Sequence, residues 1–258
     1  MFRAHEHTKS HKMSRIDARD RLIVALDLPD VDAARRMVQE LEGIVTFFKV
    51  GLALQLAPGV EEFIQGLIAS GKKVFLDYKY YDVPETLKKA VSQAARLGVS
   101  FLTVHGPGDL IRAAVSGRGQ GSLKLLTVTV LTSMDAGDLT EMGYTDTSVE
   151  GLVLLRARKA LEAGCDGVVA SGQEAKKIKE LSEPRNLLIV TPGIRPEGYP
   201  QDDQKRTSTP SAAILAGADY LVIGRPITEA ANPQEAARTF LAEMHRAFDA
   251  VPQTATSI

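Results

Sequence analysis

RLIVALDLPDVDAARRMVQELEGIVTFFKVG, residues 21–51, is an apolar run, a helical stretch and a second apolar run in direct succession. RLIVALD (21–27) and VTFFKVG (45–51) are apolar nearly end to end, as a strand reads when a parallel sheet covers both its faces. Between them Val31, Ala34, Val38 and Leu41 recur at the spacing of one helix face. The turn from the first strand into that helix reads LDLPDVD and holds no glycine. An open, doubly wound sheet usually carries a glycine-rich turn there, so this unit points away from it.

Six further runs repeat the pattern: KVFLDYK (73–79), VSFLTVH (99–105), LKLLTVTVLT (123–132), DGVVAS (166–171), LLIVTPG (187–193) and DYLVIG (219–224). Helical stretches separate them, and Gly43, Gly71, Gly98 and Gly164 fall where helices should stop. The last helix shows its face in Ala237, Phe240, Leu241, Met244 and Phe248. Eight strands each followed by a helix specify the α/β class and a closed (β/α)8 TIM barrel, a single domain expected over residues 21–250. The one glycine cluster, Gly117-Arg118-Gly119-Gln120-Gly121, follows a helix and precedes a strand. That is the wrong side for a phosphate loop, and it reads as a plain connector.

A chain of 258 residues is ordinary for one such barrel. The formal net charge of −1 supplies no global field to recruit nucleic acid or an anionic membrane. Cys165 is the only cysteine, which excludes an intrachain disulfide and suits the cytoplasm. No apolar run approaches the ~20 residues that span a bilayer. Residues 1–20 are polar and read as a disordered tail, their His5, His7 and His11 unfixed rather than metal-binding; 251–258 read as a C-terminal tail. The polar stretch 196–210 is long enough for a closing lid.

Polar residues collect at the C-terminal ends of the runs: Asp27, Lys49, Asp77 with Lys79, His105, Thr132, Ser171, Arg195 and Arg225. In a barrel these ends converge on one mouth, where catalytic loops lie. A structural ring of ion pairs is the alternative for any one of them. Cys165 reads as core, and His105 and Ser171 as support rather than contact. No grouping of His, Cys and carboxylates has zinc spacing.

The third run is the most informative. Asp77 and Lys79 stand two apart on a strand, so both side chains project to one side. Asp82 follows in the loop, as helix cap or as a functional group, and Pro84 suits the first turn of the next helix. Asp77-x-Lys79-x-x-Asp82-Val83-Pro84-x-Thr86 resembles the signature of the orotidine 5′-monophosphate decarboxylases. The resemblance continues through Leu26-Asp27, Phe48-Lys49-Val50-Gly51, Val130-Leu131-Thr132-Ser133, Thr191-Pro192-Gly193-Ile194-Arg195-Pro196, Asp203-Gln204 and Ile223-Gly224-Arg225-Pro226.

That resemblance implies a carboxy-lyase acting on OMP to give UMP, with no cofactor and no metal. It implies that Lys79 donates a proton to C6, within a charged array of Lys49, Asp77, Lys79 and Asp82. It implies a homodimer with shared sites, Asp82 and Thr86 reaching across to the partner. Asp27 and Lys49 would bind ribose hydroxyls and Thr132 would line the pyrimidine. Arg195, Gln204, Gly224 and Arg225 would hold the phosphate. Tyr78, Tyr80, Tyr81 and Glu85 depart from common family residues; the tyrosines are expected to alter packing or the dimer seam, and Glu85 to sit in a helix first turn, where a carboxylate is favoured. Two rival readings remain: a Mg2+-dependent sugar-phosphate decarboxylase or aldolase on the same barrel, and a non-catalytic nucleotide-binding barrel.

Overall fold

The computed structural model describes residues 17–200 and 203–251. Its strands are β1 (Leu22–Ala25), β2 (Phe47–Gly51), β3 (Lys73–Tyr80), β4 (Phe101–Val104), β5 (Lys124–Val128), β6 (Gly167–Val169), β7 (Leu188–Thr191) and β8 (Tyr220–Ile223). They form one closed parallel barrel in sequence order, with β8 paired to β1. Every strand grows from one of the eight apolar runs. Most are shorter than their runs, because residues such as Thr132, Ser171 and Gly193 have left the ladder for the loops.

Helices α1 (Val31–Glu40), α2 (Val60–Ala69), α3 (Pro84–Leu97) and α4 (Gly108–Arg118) follow the first four strands. Two helices, α5 (Ala136–Glu141) and α6 (Val149–Glu162), follow β5; α7 (Ala175–Ser182) and α8 (Pro210–Leu215) follow β6 and β7. After β8 come the short α9 (Arg225–Thr228) and the long α10 (Pro233–Ala250). Their ends follow local chemistry. The Asp30 side chain accepts from Ala33 N at 2.7 Å to open α1. Pro84 occupies the first turn of α3, and Gly98 closes that helix at φ +84°, a conformation that costs a side chain but not glycine. Gly117 is not part of a connector. It lies within α4, where an added Cβ would collide with the Lys88 backbone of α3, so it sets how closely these helices pack.

Inside the barrel the strands alternate by twos. Phe47, Phe75 and Phe101 are buried near its base and meet Tyr220 or one another edge to face, with centroids 5.0–6.1 Å apart. Each fully buried aromatic side chain contributes ~1.5–3 kcal/mol by leaving water, so this floor is a firm platform. Two residues further along the same strands stand Lys49, Asp77 and Thr103. Apolar floor thus gives way to a polar layer within one step of the pleat.

At the N-terminus the folded chain begins before residue 21. Asp17 caps a 3-10 turn, Ala18–Asp20, whose Ala18 is buried, and Asp20 pairs with Lys73 at 2.7 Å. The remainder of the expected N-terminal tail, with His5, His7 and His11, and residues 252–258 lie outside the described residues. So do positions 201 and 202 of the expected lid. No helix among the described residues is long and apolar enough to cross a membrane.

Candidate active site

A cavity of about 550 Å³ opens at the C-terminal ends of the strands, within the ~300–1,000 Å³ typical of small-molecule sites. Asp27, Lys49, Asp77, Lys79, Thr132, Arg195, Gln204, Gly224 and Arg225 all line it. These residues span two hundred positions, and the barrel brings them to one mouth.

The charges alternate along one wall. Lys49 Nζ donates to Asp27 Oδ1 at 2.9 Å and lies 3.5 Å from Asp77 Oδ2, while Lys79 Nζ lies 2.9 Å from Asp77 Oδ1. The Lys49 side chain is only 9 % exposed, so its ammonium is held by two carboxylates rather than by water. Burial would raise the Asp77 carboxyl. The ammonium groups of Lys49 and Lys79, with hydrogen bonds from Lys79 and Thr103, outweigh it and hold Asp77 below the ordinary carboxylate range. Asp77 is therefore an anion at neutral pH.

Lys79 reaches this position by an irregular backbone. From Leu76 to Tyr80 β3 advances four residues while β4 advances two, from Leu102 to Val104, so β3 bulges between them. Lys79 sits in the bulge at φ +50°, a left-handed conformation uncommon outside glycine. Its N–H donates to Thr103 Oγ1 at 2.9 Å, and the same hydroxyl donates to Asp77 Oδ1 at 2.9 Å. Asp77 and Lys79 do face one cavity, but through this bulge rather than plain strand alternation.

Two arginines also line the cavity, Arg195 after β7 and Arg225 after β8. Arg225 pairs with the Asp203 carboxylate, and Arg195 donates to Ile194 O at 2.9 Å with its guanidinium 5.4 Å from the Tyr199 ring. Thr132 Oγ1 donates to Gln204 Oε1, joining the loop after β5 to the segment before α8. An added Cβ at Gly224 would make only ordinary contact with Ala25, so this chain's own packing does not demand glycine there.

Asp82 and Thr86 do not line the cavity of their own chain. Both are exposed; Asp82 Oδ1 accepts from Val83 N at 2.6 Å, and the cap of α3 is Val83 rather than Asp82. His105 and Ser171 do not line it either. His105 Nδ1 lies 3.3 Å from Val128 O, and burial together with Arg156 pushes its imidazole below the ordinary value. Ser171 Oγ donates to Arg206 O at 3.3 Å. Cys165 is buried, its thiol against Thr127 and Leu125 O. Tyr78 and Tyr80 pack on the core with rings 6.2 Å apart, and Tyr81 is exposed.

Three positions carry the site without standing out in the sequence. Thr103 is hidden in an apolar strand, although its phase two residues after Phe101 would place it inward. Gly51 makes room for the Asp27–Lys49 pair. Arg206, in a polar stretch, turns out buried and paired with Glu174 at 2.6 Å. Among the described residues no three His, Cys, Asp or Glu side chains cluster as a metal site.

A closed eight-stranded barrel with a charged cavity at the C-terminal ends of its strands is the layout of the (β/α)8 enzymes. The model of the orotidine 5′-phosphate decarboxylase / HUMPS family matches residues 20–240, and the chain belongs to that family. An orotidine 5′-phosphate decarboxylase of Nitrobacter winogradskyi is 56 % identical over 227 residues, 88 % of this chain and 93 % of that one. One of Methylococcus capsulatus is 49 % identical over 236 residues, 91 % of this chain and 96 % of its own length. The crystal structure of orotidine 5′-phosphate decarboxylase from Lactobacillus acidophilus superposes with a TM-score of 0.76 at 35 % identity, covering 87 % of this chain and 98 % of that one.

Proposed function

We propose that this chain decarboxylates OMP to UMP and CO2, a step of pyrimidine nucleotide synthesis, without metal or cofactor and in the cytoplasm. One observation carries the reading: the run of alternating charges Asp27, Lys49, Asp77 and Lys79, which shares with Arg195 and Arg225 a cavity of nucleotide size. The phosphate goes to Arg195, Gln204, Gly224 and Arg225, and a bidentate guanidinium contact suits it. Asp27 and Lys49 take the ribose hydroxyls, and Thr132 lines the pyrimidine. This leaves C6 beside Lys79.

When the C6–carboxylate bond breaks, its electron pair stays on C6 and CO2 departs. The Lys79 ammonium stabilises that pair and then transfers its proton to C6; the neutral amine recovers a proton from solvent. Lysine suits this better than arginine, since its compact charge can release a proton. Asp77, 2.9 Å from the Lys79 ammonium, aims it, and as an anion it also repels the substrate carboxylate. Stabilisation of the developing carbanion is the main term. One lysine does not supply the ~8–23 kcal/mol by which enzymes commonly lower barriers, so the distant phosphate grip must orient the substrate.

Asp82 and Thr86 are read as serving the site of a partner in a homodimer. Their exposure, beside Tyr81 at 65 % and Val83 at 63 % exposure, supports that role, because apolar side chains this open suit a covered surface. Against a Mg2+-dependent relative stands the donor set. Asp27 and Asp77, the carboxylates of the wall, are already engaged by two ammonium groups that would repel a divalent cation.

The test follows OMP by its ultraviolet absorbance with purified protein in excess chelator. Turnover is expected to be unchanged by the chelator, and Lys79→Ala is expected to lose at least ~1,000-fold in kcat while keeping its fold. Absence of OMP turnover by the unaltered protein would defeat the assignment.

A further inference from the structure

The bulge in β3 raises a question that the charged residues do not answer: what holds Lys79 in a left-handed backbone and Asp77 in the rotamer that meets it. A side chain at φ +50° is strained by ~1–3 kcal/mol and persists only where its surroundings enforce it. A bulge also removes Lys79 N–H from the ladder, and a buried N–H needs another partner. Both demands fall on one group. Thr103, on β4, is fully buried. Its hydroxyl accepts from Lys79 N at 2.9 Å and donates to Asp77 Oδ1 at 2.9 Å.

We infer that Thr103 is a positioning residue for the decarboxylation, its hydroxyl fixing at once the backbone of Lys79 and the carboxylate of Asp77 so that the ammonium is aimed at the reacting carbon. This rests on the function proposed above. A threonine hydroxyl is well matched to the task, having one proton to give and lone pairs to receive. The direction of each bond is dictated by the partners: an amide N–H only donates and an ionised carboxylate only accepts. The hydroxyl is therefore oriented without ambiguity. Valine has the same shape but neither capacity. Asp77 meets both Lys79 and Thr103 through Oδ1 and Lys49 through Oδ2, with Asp27 beyond Lys49. Removing the hydroxyl thus takes away one of the contacts that favour its charged form.

The experiment compares Thr103→Val and Thr103→Ser with the unaltered protein, following kcat and KM for OMP across pH. Thr103→Val is expected to lower kcat ~10–100-fold, the usual effect of losing a group that orients a reacting side chain, with KM changed less than about threefold. Thr103→Ser should restore most of kcat. The acid limb of kcat should move to higher pH in Thr103→Val, because Asp77 then protonates more readily. A purely structural role would lower activity without moving that limb. If Thr103→Val does not fold, Thr103→Ala, which crowds nothing at the bulge, should show the same loss and the same shift. Unchanged kcat in a folded Thr103→Val, or an equal loss in the serine variant, would overturn the inference while the unaltered enzyme still turned over OMP. Inactivity of the unaltered enzyme would instead remove the decarboxylase reading, and this inference with it.

Discussion

An ideal Cβ at Gly51 would lie 2.8 Å from both Asp27 Oδ1 and Lys49 Nζ, so the ion pair occupies the volume a side chain would need. Gly51 has φ −109°, which any residue adopts, and space rather than backbone freedom is the constraint. Gly51→Ala should therefore fold but displace the Asp27–Lys49 pair from the wall. The expected result is a fall in kcat/KM for OMP of ~10–100-fold, since small misplacements in a charged site carry that cost, with a melting temperature close to the parent's. Steady-state kinetics beside a thermal melt read both; unchanged kinetics would mean that the pair relocates without consequence. The sequence displays Gly51 within Phe48-Lys49-Val50-Gly51, yet nothing in those letters says that two side chains from different strands cross above it. That contact exists only once β1 and β2 are paired.

Elements show the same division between what a sequence can and does not display. The eight strands were legible because a strand buried on both faces must be apolar throughout, and the polar ends were legible because they interrupt those runs. The β3 bulge was not, because Asp77-x-Lys79 has the spacing of an ordinary strand. Arg206 was not, because it lies in the polar stretch 196–210, whose composition suits a closing lid and marks no residue in it for burial. In the fold Arg206 stitches three loops together. It pairs with Glu174 at the start of α7, donates to Val130 O at 2.9 Å and Leu131 O at 3.1 Å, and its own N–H donates to Thr132 O at 3.0 Å. Glu174→Ala would leave a buried guanidinium without its counter-charge and should cost ~3–5 kcal/mol in urea unfolding. Replacing both residues with methionine should recover much of that, because the cost comes from the orphaned charge. A single-variant loss below ~1 kcal/mol would show that water reaches the site and compensates.

At the scale of the molecule, one chain holds nearly the whole expected site and leaves out two members, Asp82 and Thr86. Their place directly after the charged strand would put them at the same mouth, and only the family resemblance implies that they turn to a partner. Pro84 starts α3 at once, and the three residues between β3 and α3 are exposed. If a second copy covers this surface, each site borrows an aspartate, and activity becomes divisible between chains. Lys79→Ala and Asp82→Ala homodimers should each be nearly inactive, one lacking the proton donor and the other the borrowed carboxylate. A mixed dimer contains one site with both defects and one with neither. After subunit exchange of equal amounts, half the dimers are mixed and half their sites are intact, so about a quarter of the parental activity should return. Mixing is measured by the OMP assay, with exchange verified independently by differently tagged chains. Recovery near that level requires Asp82 to act across the seam; if exchanged, folded dimers remain inactive, the carboxylate serves its own chain, and each protomer must be a complete catalytic unit.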